Sequence, residues 1–409
     1  MHKCGRLLLL LACLISAPSW GQNIPTIKSK DSKSELTIVP LPAIAYNPTS
    51  GLLFGLAPSA SWYMGEKSNT RISSALGSLI YTTKNQWILT AKSNVFLDGD
   101  SWNLLGDWRF FITSQPTYGL GTGPQSGKPI GTGIEYEDGL FSKPISDAQM
   151  MEFNFFRFHE TLLKRIQDSY FYTGLGYHFD NHNRIEDNLL DVGANPPLYT
   201  SHYSYNSVKG ISTENYSLSG FSVNALYDSR DNAINPYSGR YAFANIRANY
   251  EWLGSAKNSS LLWLEYRDYF SLNKNRPRHM IAVWTYGWFV TSGDVPYMNL
   301  PALGWDQFGR SGRAYTQGRF RGEDIVYAEV EYRVPLQRDK ERFGAVAFVN
   351  TTSASNRLGN IDLFDYLDVG YGVGFRFMIS EASRSNLNID FAFGEYGATG
   401  FYFGINEVF

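Results

Sequence analysis

Cysteine is nearly missing from this chain: of 409 residues only Cys4 and Cys13 are cysteines, and both lie near the start. They fall in MHKCGRLLLLLACLISAPSWGQ, where Lys3 and Arg6 precede an apolar run from Leu7 to Ile15 and then small residues. That is the pattern of a secretory signal peptide, too short to span a bilayer as a helix. Cleavage is expected after Gly21 (signal 1–21), with cleavage after Ser19 next. The rival is lipoprotein processing at Cys13, because Leu10-Leu11-Ala12-Cys13 resembles a lipobox. With ordinary cleavage the remainder, 22–409, has no thiol, which excludes disulfides, zinc–thiolate centres and cysteine nucleophiles.

Long apolar runs are also missing beyond the signal, which removes the helical membrane class. The formal net charge is only −2, so no basic footprint for nucleic acid is present. No linker, low-complexity tract or composition shift divides the chain into domains. What is present is a 16% aromatic content with 38 glycines. That mixture suits strands whose outward faces meet lipid, with aromatic girdles at the two interfaces.

Apolar and polar residues alternate along most of 22–409, the period of a strand with two unlike faces. Val369, Tyr371, Val373, Phe375 and Phe377 alternate with Asp368, Gly370, Gly372, Gly374 and Arg376. Leu387, Ile389, Phe391 and Phe393 alternate with Asn388, Asp390, Ala392 and Gly394, and Phe401, Phe403, Ile405 and Phe409 are read as sharing one outward face. Further strands are placed near 34–46, 51–64, 71–82, 85–97, 100–113, 148–163, 168–180, 216–229, 240–252, 259–272, 278–290 and 323–336. With the four after residue 342 the total is about sixteen, an even number as bacterial outer-membrane barrels require. Lipid offers no hydrogen bonds, so every spanning strand must pair and an open sheet is excluded. The expected fold class is therefore all-β: a transmembrane antiparallel β-barrel of about sixteen strands with a wet lumen and a long loop folded into it.

That loop, 292–322, carries Arg310, Arg313, Arg319 and Arg321, and from Gly309 on it has little apolar content, so it belongs in a polar lumen or outside the membrane. It feeds a strand in which Ala328, Val330, Tyr332 and Val334 face one way and Tyr327, Glu329, Glu331 and Arg333 the other. A cationic loop beside an acidic strand face reads as a plug. The first strand, TIVPLPAIAYNP, holds Pro40 and Pro42 two apart. Either one edge of that strand lacks two donors and makes a weak closing seam, or both prolines precede the strand.

These segments resemble the BamA/TamA superfamily of outer-membrane assembly barrels, the bacterial surface antigens. The matching residues are Arg313-Ala314-Tyr315 at the loop tip, FSVNALYDSRDNAINPYSGRYAF (221–243), Glu331-Tyr332-Arg333-Val334-Pro335-Leu336, and the final NLNIDFAFGEYGATGFYFGINEVF. The resemblance implies that the loop between the eleventh and twelfth strands folds back into the lumen with Arg313 as its anchor. It implies Glu331 and Asp390 as acid partners and Asn350 as a neutral one, since Phe348-Val349-Asn350 stands where the family commonly has Phe-x-Asp. It also implies a C-terminal assembly signal in Tyr402, Gly404 and Phe409, with Glu407 at an apolar position of that signal, near the periplasmic rim. Ala314 replaces the usual Gly, which narrows the backbone conformations open to the tip. Periplasmic transport-associated domains are expected to be lacking, as in a barrel-only branch.

The implied function is assistance in inserting or translocating proteins or other components at the bacterial outer membrane. The partners would be outer-membrane lipid, unfolded outer-membrane protein clients and a periplasmic partner. A passive channel or transporter is the alternative. An outer-membrane hydrolase is more distant: His178, Asp180, His182, Glu186 and Asp187 could form a metal or hydrolytic cluster, but barrel loops are commonly acidic, and no Gly-x-Ser-x-Gly elbow or phosphate loop appears. No enzyme activity, cofactor, metal or nucleic acid is expected.

Overall fold

The computed structural model describes residues 27–28, 36–40, 42–47, 51–124, 135–137, 140–141, 143, 145, 148–338, 342–381 and 383–409. The signal segment and the lipobox lie outside the described residues. Among the described residues, sixteen strands follow the chain as one antiparallel meander, besides three short segments of two or three residues. The first two are each broken. β1 runs through Thr37–Val39 and Pro42–Asn47, and β2 through Gly51–Leu56 and Ser59–Trp62. Pro40 sits at the first break and Pro58 at the second, where a residue without an N–H cannot donate to the ladder. Pro42 opens the second half of β1 in register with Leu56. The prolines therefore lie within the first strand's path, not before it.

The unbroken strands are β3 (Ser73–Thr82), β4 (Trp87–Phe96), β5 (Trp102–Thr117), β6 (Gln149–Arg165), β7 (Phe171–Asp187), β8 (Tyr216–Asp228), β9 (Gly239–Asn249) and β10 (Ser259–Ser271). They continue with β11 (Met280–Gly293), β12 (Asp324–Pro335), β13 (Phe343–Ala354), β14 (Asp368–Ser380), β15 (Ser385–Gly394) and β16 (Thr399–Ile405). Each pairs with its neighbour in sequence, so the register runs from β1 to β16. Val39 of β1 and Ile405 of β16 share one buried cluster, which brings the two ends of the ladder together.

The alternation separates two environments. On β12, Tyr327, Glu329, Glu331 and Arg333 are buried while Val330 and Tyr332 are 41% and 43% exposed. Large apolar side chains such as Leu175, Val223, Ile246, Val373 and Phe401 cover the outer face, too continuous an apolar surface to be left in water. The connections are unequal as well: 118–148, 188–215 and 294–323 are long at one end, and 97–101, 166–170 and 381–384 are short at the other. That asymmetry is the one expected of an outer-membrane barrel, with short turns on the periplasmic side.

Two expectations need correcting. The acidic segment His178–Asp187 is strand, not loop, because β7 runs on to Asp187. Its polar residues hid the pattern, since inward positions of a barrel are polar anyway. The lumen is also less wet than its charges suggest. The first half of the 294–323 loop brings in Val295, Tyr297, Met298, Leu300 and Trp305, which pack with Phe153, Phe155 and Tyr216 in one buried apolar cluster.

Candidate functional site

The loop crosses the lumen because both walls hold it. From β5, Arg109 is oriented by Asp107 at 2.6 Å and donates to the carbonyls of Asp306 and Gln307 at 2.8 and 2.9 Å. Asp306 in turn caps the tip turn, accepting from the Arg310 and Ser311 amides and the Ser311 hydroxyl. Arg310 reaches the short-turn end of the barrel, where it donates to the Ile405 carbonyl at 2.9 Å and to that of Glu407. A charged side chain with this many fixed acceptors holds its backbone to within a narrow range of positions.

Arg313 is the centre of the far wall. Its guanidinium donates to Glu329, Glu331 and, at 3.0 Å, Asp390, and its Cζ lies 3.5 Å from the Phe348 ring centroid. Strand register explains the convergence. Glu329 pairs with Asn350 across β12–β13, Asn350 with Gly370 across β13–β14, and Gly374 with Asp390 across β14–β15. Between the acids, β14 presents glycines: a Cβ on Gly370 would stand 2.8 Å from the Arg313 carbonyl, and one on Gly374 would stand 1.8 Å from Asp390 Oδ1. The stripe leaves room for the loop and its counter-ions. The acids are held from behind by Arg333, 2.6 Å from Glu331, and Arg376, 2.5 Å from Asp390.

The tip residues follow. Ala314 has φ 100 and donates its amide to the Tyr402 hydroxyl at 3.0 Å. Tyr315 donates to the Val369 carbonyl at 2.5 Å and accepts from the Glu395 amide at 3.0 Å, with its ring over Gly394.

A family model for the Omp85 superfamily domain matches residues 151–409. The chain belongs to the Omp85 superfamily. Among solved structures it is similar to BamA from Haemophilus ducreyi lacking POTRA domains 1–3, with TM-score 0.54 and 13% identity over 94% of this chain and 74% of that one. It is also similar to CdiB from Acinetobacter baumannii, with TM-score 0.51 and 14% identity over 92% of this chain and 60% of that one. No curated protein matches. At these identities the structural likeness shows the fold: an Omp85-type outer-membrane barrel. Membership places the chain in a family of outer-membrane insertion and translocation proteins.

Within this Omp85 barrel, Glu331 and Asp390 both reach Arg313. Glu329 joins them, although only the other two were expected as acid partners. Its inward position on β12 was visible in the alternation, but the depth of the loop was not. Asn350 meets the loop in another way than expected: its Nδ2 donates to the Arg313 carbonyl at 3.1 Å, so it binds backbone instead of accepting from the guanidinium.

Phe409 and Glu407 are corrected more strongly. After Ile405 the chain turns at Asn406, φ 66, and runs inward. Glu407 is buried, taking Arg376 at 2.6 Å and Asn386 at 2.6 Å. Phe409 leaves the outward face of Phe401 and Phe403 and packs beside Trp284 and Tyr269, with its carbonyl accepting from Arg333 at 3.1 Å. A glutamate and a phenylalanine two residues apart can both be buried here because arginines and aromatic rings lie side by side inside the barrel. Tyr402 points inward to Ala314, and a Cβ at Gly404 would meet Asn388 at 2.8 Å.

His178, Asp180 and His182 lie at alternate inward positions of β7, while Glu186 is exposed. Alternate strand residues stand about 7 Å apart, and no group of three metal-ligating side chains forms among the described residues. Asp180 is taken instead by Arg157 at 2.6 Å and Arg247 at 2.8 Å.

Proposed function

We propose that this barrel assists the insertion or translocation of proteins or other components at the bacterial outer membrane, using its β1/β16 junction as the place where an incoming segment pairs. The lumenal loop braces the wall beside that junction. One observation carries the reading: the same loop that is pinned by Arg313 to β12 and β15 also holds the end of β16 through Arg310. The junction itself is the least regular part of the ladder. β1 is interrupted at Pro40, and β16 is 7 residues long, shorter than the ~9–11 residues that span a bilayer.

Anchoring thus rests on Arg313, with Ala314 and Tyr315 fitting the tip to Tyr402 and the β14–β15 wall, and Pro40 and Pro42 weaken the edge that would open. Clients would be unfolded polypeptides offering a free strand edge, delivered by a periplasmic partner. A lumen occupied by the loop and by residues 406–409 disfavours the passive-channel alternative. Depleting the protein and recording which outer-membrane components disappear tests the proposal: loss of one defined set supports it, and an unchanged outer membrane with altered small-solute permeability rejects it.

A further inference from the structure

We propose that the short-turn end of the lumen holds a binding site for a small inorganic anion of the size of chloride. Between the loop tip, the 229–238 turn, residues 406–409 and the inner wall of β2 to β4 lies a cavity of about 50 Å³. That is room for an ion little larger than a water molecule, with a partial water shell. Lys92, Arg230, Arg267 and Arg310 border the cavity, against one acidic side chain, Glu407.

The surrounding acids are already engaged. Arg230 is answered by Asp228 at 2.8 Å, Arg267 by Glu265 at 2.5 Å, and Glu407 by Arg376 at 2.6 Å. The Phe409 carbonyl oxygen is taken by Arg333 at 3.1 Å. Further in, Arg109, Arg157 and Arg247 share only Asp107 and Asp180, so that network carries more positive than negative charge. Asp306 caps its own loop, and its charge does no more than offset that excess. Two cations remain. Lys92 of β4, 8% exposed, has neither a hydrogen-bond acceptor nor an ion-pair partner among the described residues. Arg310 gives its two terminal nitrogens to the Glu407 and Ile405 carbonyls and reaches no carboxylate. Both stand by one ring: Lys92 Nζ and Arg310 Cζ lie 5.9 and 5.5 Å from the Phe308 centroid.

A buried ammonium without a counter-ion is costly. Losing its proton would relieve Lys92 alone, because the guanidiniums of Arg230, Arg267 and Arg310 keep theirs. An anion in the cavity lowers the energy of all four. Donors are in place to hold it. Arg310 Nε, Arg230 Nη1 and Arg267 Nη1 donate to no described residue, and none of them is a sealed atom. Asn94, also on the cavity wall, accepts from Asn103 at its Oδ1 at 2.6 Å and leaves its Nδ2 for the ion. Bound there, the anion ties β4 to the loop tip and so adds to the bracing beside β16.

The test uses the full chain purified in detergent. Crystals grown in sodium bromide should show an anomalous bromide peak in the cavity, within hydrogen-bonding distance of Lys92 Nζ. In solution, sodium chloride is titrated against sodium gluconate at equal ionic strength, since gluconate is too bulky to enter. Chloride should raise the temperature at which the compact band on unboiled gels is lost, saturably and by about 2 °C. Lys92→Met should lose both the peak and the chloride-dependent rise. Arg240→Gln, which removes an exposed guanidinium from the outer face, should keep both. Where Lys92→Met does not fold, the wild-type peak and the wild-type chloride response decide. No peak in the wild-type cavity, no saturable chloride response, or a peak or response undiminished in folded Lys92→Met would each overturn the site.

Discussion

Arg313 and Asp390 meet at 3.0 Å across 77 residues of sequence, one on the lumenal loop and the other on the next-to-last strand. Neither residue could be buried alone, because an isolated charge in such a place is expensive. Together with Glu329 and Glu331 they fix where the loop tip sits, and hence what lies against β16.

Arg313→Ala leaves the buried Glu329 without a cation and takes one of two from Glu331 and Asp390, which keep Arg333 and Arg376. The expected cost is about 3–5 kcal/mol, seen as a lower temperature for the loss of the compact band on unboiled gels. Arg313→Lys should fall between, since one ammonium cannot reproduce the guanidinium's fork. An unchanged transition in Arg313→Ala would remove the anchor role.

Ala314→Gly should act in the opposite direction. With φ 100, Ala314 occupies a region that L side chains rarely adopt, and a strained residue of this kind costs about 1–3 kcal/mol. Part of that returns when the Cβ is removed, so the folded barrel should unfold at higher temperature. The loop tip, however, should become less restricted in exchange measurements on its amides.

The inward course of residues 406–409 is checked with spin labels in a bilayer. A nitroxide on Phe403→Cys should collide freely with oxygen dissolved in lipid, because Phe403 is 49% exposed on the outer face. One on Phe409→Cys should be shielded. Equal accessibility would return Phe409 to the lipid side.

Acid should loosen the long-loop end of the barrel. There a short helix, α1 (Ser201–Val208), lies against the lumenal loop, with Asn206 Oδ1 accepting from the Tyr297 amide at 3.0 Å. His202 of α1 is buried against Tyr216 and Tyr297, with Asp187 at 4.0 Å, and burial lowers its pKa to about 4, with Arg321 adding to the shift. The unfolded segment, with an imidazole near 6.5, then binds more protons than the folded one between those values. Stability therefore falls as pH drops from about 6.5 towards 4. Limited proteolysis of 188–215 should accelerate in that window, and His202→Asn should flatten the response.

A disulfide between Val39→Cys and Ile405→Cys, which pack together in one cluster, should lock β1 to β16. Client insertion should stop when the pair is oxidised and resume on reduction. Full activity in the locked form would sink the proposed opening.

Much of this barrel could be read from residue order. The strict alternation in β12, β14 and β15 announced two unlike faces, and their spacing produced the strand count. That the loop bearing Arg310, Arg313, Arg319 and Arg321 avoids lipid was legible because cations cannot sit among acyl chains, whereas Arg313 as its anchor followed from the family resemblance. Other elements were hidden for stated reasons. The end of β7 beyond residue 180 looked like a loop because its inward residues are as polar as any loop, and Phe409 looked outward because parity alone carried it past the turn at Asn406.

The division has a physical basis. Sequence by itself determined the faces, because lipid and lumen each impose a local rule with a period of two residues. It also determined that the arginine-bearing segment 309–322 could not face lipid. Which side chains meet inside the lumen was decided only by the tertiary structure, because those contacts depend on strand register summed around the barrel and on how deep the loop reaches. Arg313 with Glu329, Arg310 with the end of β16, and Phe409 on Trp284 are contacts of that kind. No local pattern encodes them.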